Sequence, residues 1–110
     1  MKNLISKQVA LVTGATSGFG LETARLLAKN GWRVYGTYRN PRKLLELKAL
    51  SRQLDIHPIY MDVTRPASVS KAVSRMIRRE GRIDALVNNA GFVVAGFLED
   101  VLDQDLKDQF

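Results

Sequence analysis

The sequence contains no cysteine and only one histidine, His57. Disulfides and thiolate metal sites are thereby excluded. His57 has no suitable carboxylate cluster beside it from which a metal site could be built. No apolar run approaches the ~20 residues of a membrane-spanning helix. Met1 to Lys7 lack the apolar core of a signal peptide, so a cytoplasmic protein is the expectation. The formal net charge is +6, yet residues 1–98 carry 16 Lys/Arg against 6 Asp/Glu, while residues 99–110 carry one Lys and five acids. The bases are scattered apart from one cluster, Arg75, Arg78, Arg79 and Arg82, and no aromatics interleave with them. A solvated basic face is expected rather than a nucleic-acid reader.

What remains is an ordinary globular composition. At 110 residues, 45% hydrophobic and 25% charged, the chain suits one compact domain and not two. Gln8 to Thr13 is a short apolar run that stops at a glycine-rich turn, as a buried parallel strand does. From Gly20 the period becomes helical, with Leu21, Ala24, Leu27 and Ala28 on one face. Asn30-Gly31 is the stop signal. Trp32 to Tyr38 reads as a second strand. Asn40 is an expected N-cap with Pro41 at the first helical position, and that helix runs to about Arg52 with Leu44, Leu47 and Leu50 inward. Ile56 to Met61 is a third strand, which Pro58 places near an edge.

Pro66 opens the next helix, where Val69, Ala72, Val73, Met76 and Ile77 form an unbroken apolar stripe. Gly81 ends it. Ile83 to Val87 is a fourth strand, followed by the turn Asn88 to Gly91. A further helix is expected from about Asp103, with Leu102, Leu106 and Phe110 on one side. Strict alternation of strand and helix means an α/β fold with a parallel sheet, and right-handed crossovers put the helices on its faces.

The segment that carries chemistry is Thr13-Gly14-Ala15-Thr16-Ser17-Gly18-Phe19-Gly20, which leaves a strand and opens a helix. In that context Gly14 permits the tight turn, Gly18 leaves room for a pyrophosphate, and Gly20 lets the helix approach the sheet. The helix N-terminus offers unpaired N–H groups and a positive dipole end to phosphate. Thr16 and Ser17 lie within the loop, and the Ser17 hydroxyl is a further donor. No Gly-Lys-Ser/Thr follows, which argues against a kinase-type phosphate loop. Phe19 is either packing or a rim over the ligand.

The pattern Thr-Gly-x-x-x-Gly-x-Gly resembles the glycine motif of the short-chain dehydrogenases/reductases. Three further matches follow in order: Asp62-Val63 at the end of the third strand, the lead-in Asp84-Ala85-Leu86-Val87, and Asn88-Asn89-Ala90-Gly91 after the fourth. The resemblance spans essentially the whole chain. It implies a Rossmann-like, doubly wound sheet of order 3-2-1-4. Asp62 would accept from the adenine amino group, and Asn88, Asn89, Ala90 and Gly91 would lie on the ribose and nicotinamide side. The alternative for Asp62 is an N-cap or turn role at the strand end.

Cofactor choice is read at the end of the second strand. A carboxylate there grips the ribose 2′-OH of NAD. Here that position is Tyr38, followed by Arg39, and no acid occurs before Glu46. A guanidinium can pair with a 2′-phosphate through two N–H groups. NADP(H) is therefore the expected cofactor, with Arg39 on the 2′-phosphate and Arg42 or Lys43 as helpers.

The family's reaction moves a hydride between nicotinamide and a carbonyl or alcohol carbon, using a Tyr-x-x-x-Lys pair, a serine and an asparagine. Tyr35, Tyr38 and Tyr60 are followed four residues on by Arg39, Arg42 and Thr64, so no such pair exists here. The chain, residues 1–110, is expected to be an NADP(H)-binding domain incomplete at its C-terminus, without catalytic residues of its own. A carbonyl or alcohol substrate belongs to the full-length form, and an open strand edge points to a homo-oligomer. A non-catalytic NADP(H)-binding or regulatory module, and a fragment needing complementation, remain as alternative readings.

Overall fold

The computed structural model of the protein describes residues 7–16 and 18–89. The element order is β1 (Val9–Thr13), α1 (Gly18–Lys29), β2 (Arg33–Tyr38), a 3-10 turn (Pro41–Lys43), α2 (Leu44–Ser51), β3 (Ile56–Tyr60), α3 (Pro66–Glu80) and β4 (Ala85–Asn88). The four strands form one parallel sheet in the order β3-β2-β1-β4. This is the Rossmann-like architecture expected from the sequence. The further helix expected from Asp103 lies outside the described residues. No helix among the described residues is long and apolar enough to cross a membrane.

Strand side chains alternate between two cores. Val9, Leu11, Tyr35 and Ile59 face α3, whose Val69, Ala72, Val73, Met76 and Ile77 complete that layer. Val12, Val34 and Ile56 face the other way, onto Ala24 of α1 and Leu47 of α2. Each fully buried Val, Ile or Met of the α3 stripe contributes about 1.5–3 kcal/mol, which is why a helix with four basic residues, Lys71, Arg75, Arg78 and Arg79, still folds back on the sheet.

Boundaries differ from the sequence reading in instructive ways. Helix α1 begins at Gly18, two residues before the apolar period, because Gly18 and Phe19 give nothing to the core and Phe19 is 86% exposed. Asn40 does cap, accepting from the Arg42 N–H at 3.0 Å, but it caps a 3-10 turn that only then passes into α2. Leu47 alone of the three expected leucines is fully buried. β3 stops at Tyr60 rather than Met61. β4 starts at Ala85 because Asp84 is already committed: its carboxylate accepts the Val9 N–H at 2.7 Å and its own N–H donates to the Val9 carbonyl. Pro58 lies on β3, an outer strand, where its missing N–H leaves no ladder bond unmade.

Candidate functional site

The C-terminal ends of β1 and β2 open onto a cleft of about 450 Å³, lined by Gly14, Thr16, Thr37, Tyr38, Arg39, Asn40, Lys43, Met61, Val63 and Thr64. Ligands of open α/β sheets bind at this edge, where neighbouring connections leave in opposite directions. Here β1 feeds a helix packed on one face and β4 lies on its other side.

The glycine turn is fixed on three sides. Gly14 has φ 62° and Gly18 has φ 58°, conformations that side-chain-bearing residues avoid. At Gly20 a Cβ would run into the Gly14 carbonyl and the Asn89 side chain. The helix can therefore sit against the turn only without a side chain there. From β2, the Thr37 hydroxyl accepts the Gly14 N–H at 3.0 Å and its carbonyl accepts the Ala15 N–H at 3.1 Å. From β4, the Asn89 N–H donates to the Thr13 hydroxyl at 2.9 Å, and that hydroxyl lies 3.1 Å from Asn88 Oδ1.

Of the residues singled out from sequence, Gly14, Thr16, Arg39 and Val63 line the cleft directly. Gly18, Phe19 and Gly20 form the start of α1, and Asn89 packs beside Gly20. Ser17, Ala90 and Gly91 lie outside the described residues. Lys43 lines the cleft, whereas Arg42 does not. Thr37, Thr64 and Asn40 are cleft residues that sequence reasoning did not pick out as such. A hollow of about 310 Å³ between β3 and α3, beside Tyr60, Arg65 and Arg75, contains no residue of the glycine motif.

Asp62 is buried, between the cleft residues Met61 and Val63 in the chain. Its Oδ1 accepts from the Thr64 hydroxyl at 2.6 Å and from the Thr64 N–H at 3.0 Å, an Asx turn. Its backbone N–H donates to the Ser68 hydroxyl at 2.8 Å. The bonds from Thr64, reinforced by the Arg39 and Arg65 guanidinia against the opposing effect of burial, hold its carboxyl below the usual carboxylate range. Oδ2 faces Arg39 Nε at 3.8 Å. With the Arg39 side chain 71% exposed, that pair is weak and leaves the guanidinium available to a ligand.

A short chain dehydrogenase profile matches residues 8–110. The chain belongs to the short chain dehydrogenase family. A 3-ketodihydrosphingosine reductase from Bacteroides thetaiotaomicron is 38% identical over 102 residues, covering 93% of this chain and 35% of that protein. A solved structure of an actinorhodin polyketide ketoreductase variant with NADPH is 42% identical, with a TM-score of 0.72, over 78% of this chain and 34% of that one. A metagenomic short-chain oxidoreductase in complex with NADP is 34% identical, with a TM-score of 0.68, over 77% of this chain and 39% of that one. The chain thus spans roughly a third of the length of these short chain dehydrogenases.

His57 lies away from the cleft. It is the second residue of β3, its Nε2 is 2.6 Å from Asp55 Oδ1, and its ring stacks on Tyr35 with centroids 5.1 Å apart. No group of three or more possible metal ligands occurs among the described residues.

Proposed function

We propose that this chain is the NADP(H)-binding portion of an oxidoreductase that transfers a hydride between NADP(H) and a carbonyl or alcohol carbon. The observation that carries the reading is the lining of the cleft at the end of β2. Arg39, Asn40 and Lys43 are present there, and no carboxylate is among the lining residues. A ribose 2′-phosphate needs this donor set, whereas a carboxylate at Tyr38 or Arg39 would repel it. Two related proteins whose structures hold NADPH or NADP support the same cofactor.

In this reading the donors fit the dinucleotide along its length. Arg39 pairs with the 2′-phosphate and Lys43 adds a point charge beside it. Asp62, ionised and with Oδ2 unencumbered by Thr64, accepts from the adenine amino group, while Val63 lies against the ring. Thr16, Gly18, Phe19 and Gly20 bring the turn and the N-terminus of α1 to the pyrophosphate, and Ser17 is assigned to it from the motif alone. Asn89 flanks the nicotinamide end, and Ala90 and Gly91 are assigned there from the motif alone. When bound, the nicotinamide carries the hydride.

The test is a calorimetric titration of the purified chain with NADPH and with NADH, for wild type and Arg39→Ala. The expected result is tighter binding of NADPH and loss of that preference in the variant. Equal binding of the two nucleotides by wild type would overturn the assignment of Arg39. Binding of neither would overturn the chain as a self-sufficient cofactor site.

A further inference from the structure

We propose that Thr37 is a positioning residue that fixes the spacing between two anion sites, one for the 2′-phosphate and one for the pyrophosphate. The inference rests on the NADP(H) reading above and deepens it.

Thr37 is 2% exposed and is the penultimate residue of β2. Two consecutive N–H groups of the glycine turn end on it. Gly14 donates to its hydroxyl at 3.0 Å and Ala15 to its carbonyl at 3.1 Å. These two amides are therefore spent on the protein. Phosphate recognition then falls to the first N–H groups of α1, from Gly18. The turn is tied to β2 at its first two residues.

The same residue lies two positions before Arg39 on a strand whose register with β1 is set by Ala10 opposite Val34 and Val12 opposite Gly36. At Gly36 a Cβ would come within 2.9 Å of the Ala15 Cβ, so strand and turn are also in tight contact just before Thr37. The guanidinium for one phosphate and the amides for the other are thus held by one rigid joint. A ligand with both anions gains from that fixed spacing, because its second contact forms at a high effective concentration. A ligand with one anion does not.

A backbone carbonyl bond to Ala15 survives any side-chain change, but the Gly14 bond needs a hydroxyl. Thr37→Val keeps shape and strand preference and removes only that acceptor. Thr37→Ser restores it. The measurement is binding of NADPH and of adenosine 2′-monophosphate, which carries only the 2′-phosphate, to the full chain and both variants, with thermal melts alongside. Expected for Thr37→Val is about a tenfold loss of NADPH affinity with adenosine 2′-monophosphate within about twofold of wild type. Thr37→Ser should recover NADPH binding to within about threefold.

Unchanged NADPH affinity in Thr37→Val would overturn the proposal. So would a parallel loss of both ligands, which marks a residue that merely supports the end of β2. Were Thr37→Val to unfold, the serine variant decides: NADPH binding weakened with a wild-type melting temperature refutes the hydroxyl as the determinant. Wild type that binds adenosine 2′-monophosphate and NADPH equally would refute the spacing argument while leaving Arg39 in place. Wild type that binds neither overturns the NADP(H) reading and this inference with it.

Discussion

The Tyr35 hydroxyl, on the buried face of β2, donates a 2.5 Å hydrogen bond to Glu80 Oε2 at the C-terminal end of α3. Arg33, two residues earlier on the same strand, reaches the other Glu80 oxygen at 2.9 Å and Asp55 at 3.3 Å. Asp55 also takes Lys7 at 2.9 Å and faces His57. This ring of paired groups closes the end of the sheet opposite the cleft. It ties α3 to β2, and so sets the depth at which the α3 stripe is buried.

Alkaline stability should report this bond. Burial first, and then the bond to Glu80, raises the Tyr35 hydroxyl from 10.0 to about 12. A raised value means that the folded state favours the protonated phenol. The stabilisation is complete below pH about 10 and is lost as pH rises through about 12. It amounts to something on the order of 2 kcal/mol. Tyr35→Phe should lower stability at neutral pH by about 1 kcal/mol and abolish the fall between those pH values, as read by urea denaturation across the range. A variant that keeps the full alkaline fall would show that another group causes it.

Gly20→Ala should cost about 3 kcal/mol or more, because the new methyl meets the Gly14 carbonyl and Asn89 together. The Gly14 carbonyl is backbone in a hydrogen-bonded turn and cannot swing aside as a long side chain would. Gly31→Ala, where a Cβ would meet nothing within 4 Å, should cost less, from its φ of 90° alone. Equal losses in the two variants, by chemical denaturation, would contradict the close approach of α1 to the turn.

Cofactor preference should be reversible from one strand end. A double change, Tyr38→Asp with Arg39→Ser, supplies an acceptor for a 2′-OH and removes the donor for a 2′-phosphate. NADH affinity should rise and NADPH affinity fall, changing their ratio about a hundredfold. Persistence of NADPH preference in competition titrations would move the determinant to Lys43.

Self-association is expected along β4, an outer strand among the described residues, where Leu86 is 36% exposed. Leu86→Lys should shift sedimentation toward the monomer at a given concentration, because edge lysines block strand pairing. An unchanged distribution would place the contact elsewhere.

The parts of the fold that were readable in sequence are those with a local period or a local stop. The α3 stripe, the β1 run and the Asn40-Pro41 start each declare themselves within a dozen residues. The glycine turn was readable because its chemistry requires absence of side chains at set spacings. Thr37 was not, since its partner Gly14 lies 23 residues away and a threonine in a strand is expected for β propensity alone. Thr64 escaped for a related reason: its bond to Asp62 is local, but a short Asp-x-Thr turn has many equivalents that touch no ligand. Tyr35 and Glu80, 45 residues apart, carry no pairwise signal in one sequence.

Strand β1 stands between β2 and β4, and its bonds to β4 join residues 75 positions apart. A growing polypeptide can pair β1 with β2 once Tyr38 has emerged, yet the Thr13 hydroxyl must wait for Asn88 and Asn89. Until then one flank of the most apolar strand is bare, and the glycine turn is held from one side only. Closing so long a segment is slow and entropically unfavourable. Nascent chains that stall before Asn89 should therefore be the ones that engage chaperones, and the glycine turn should be among the last parts of this sheet to set.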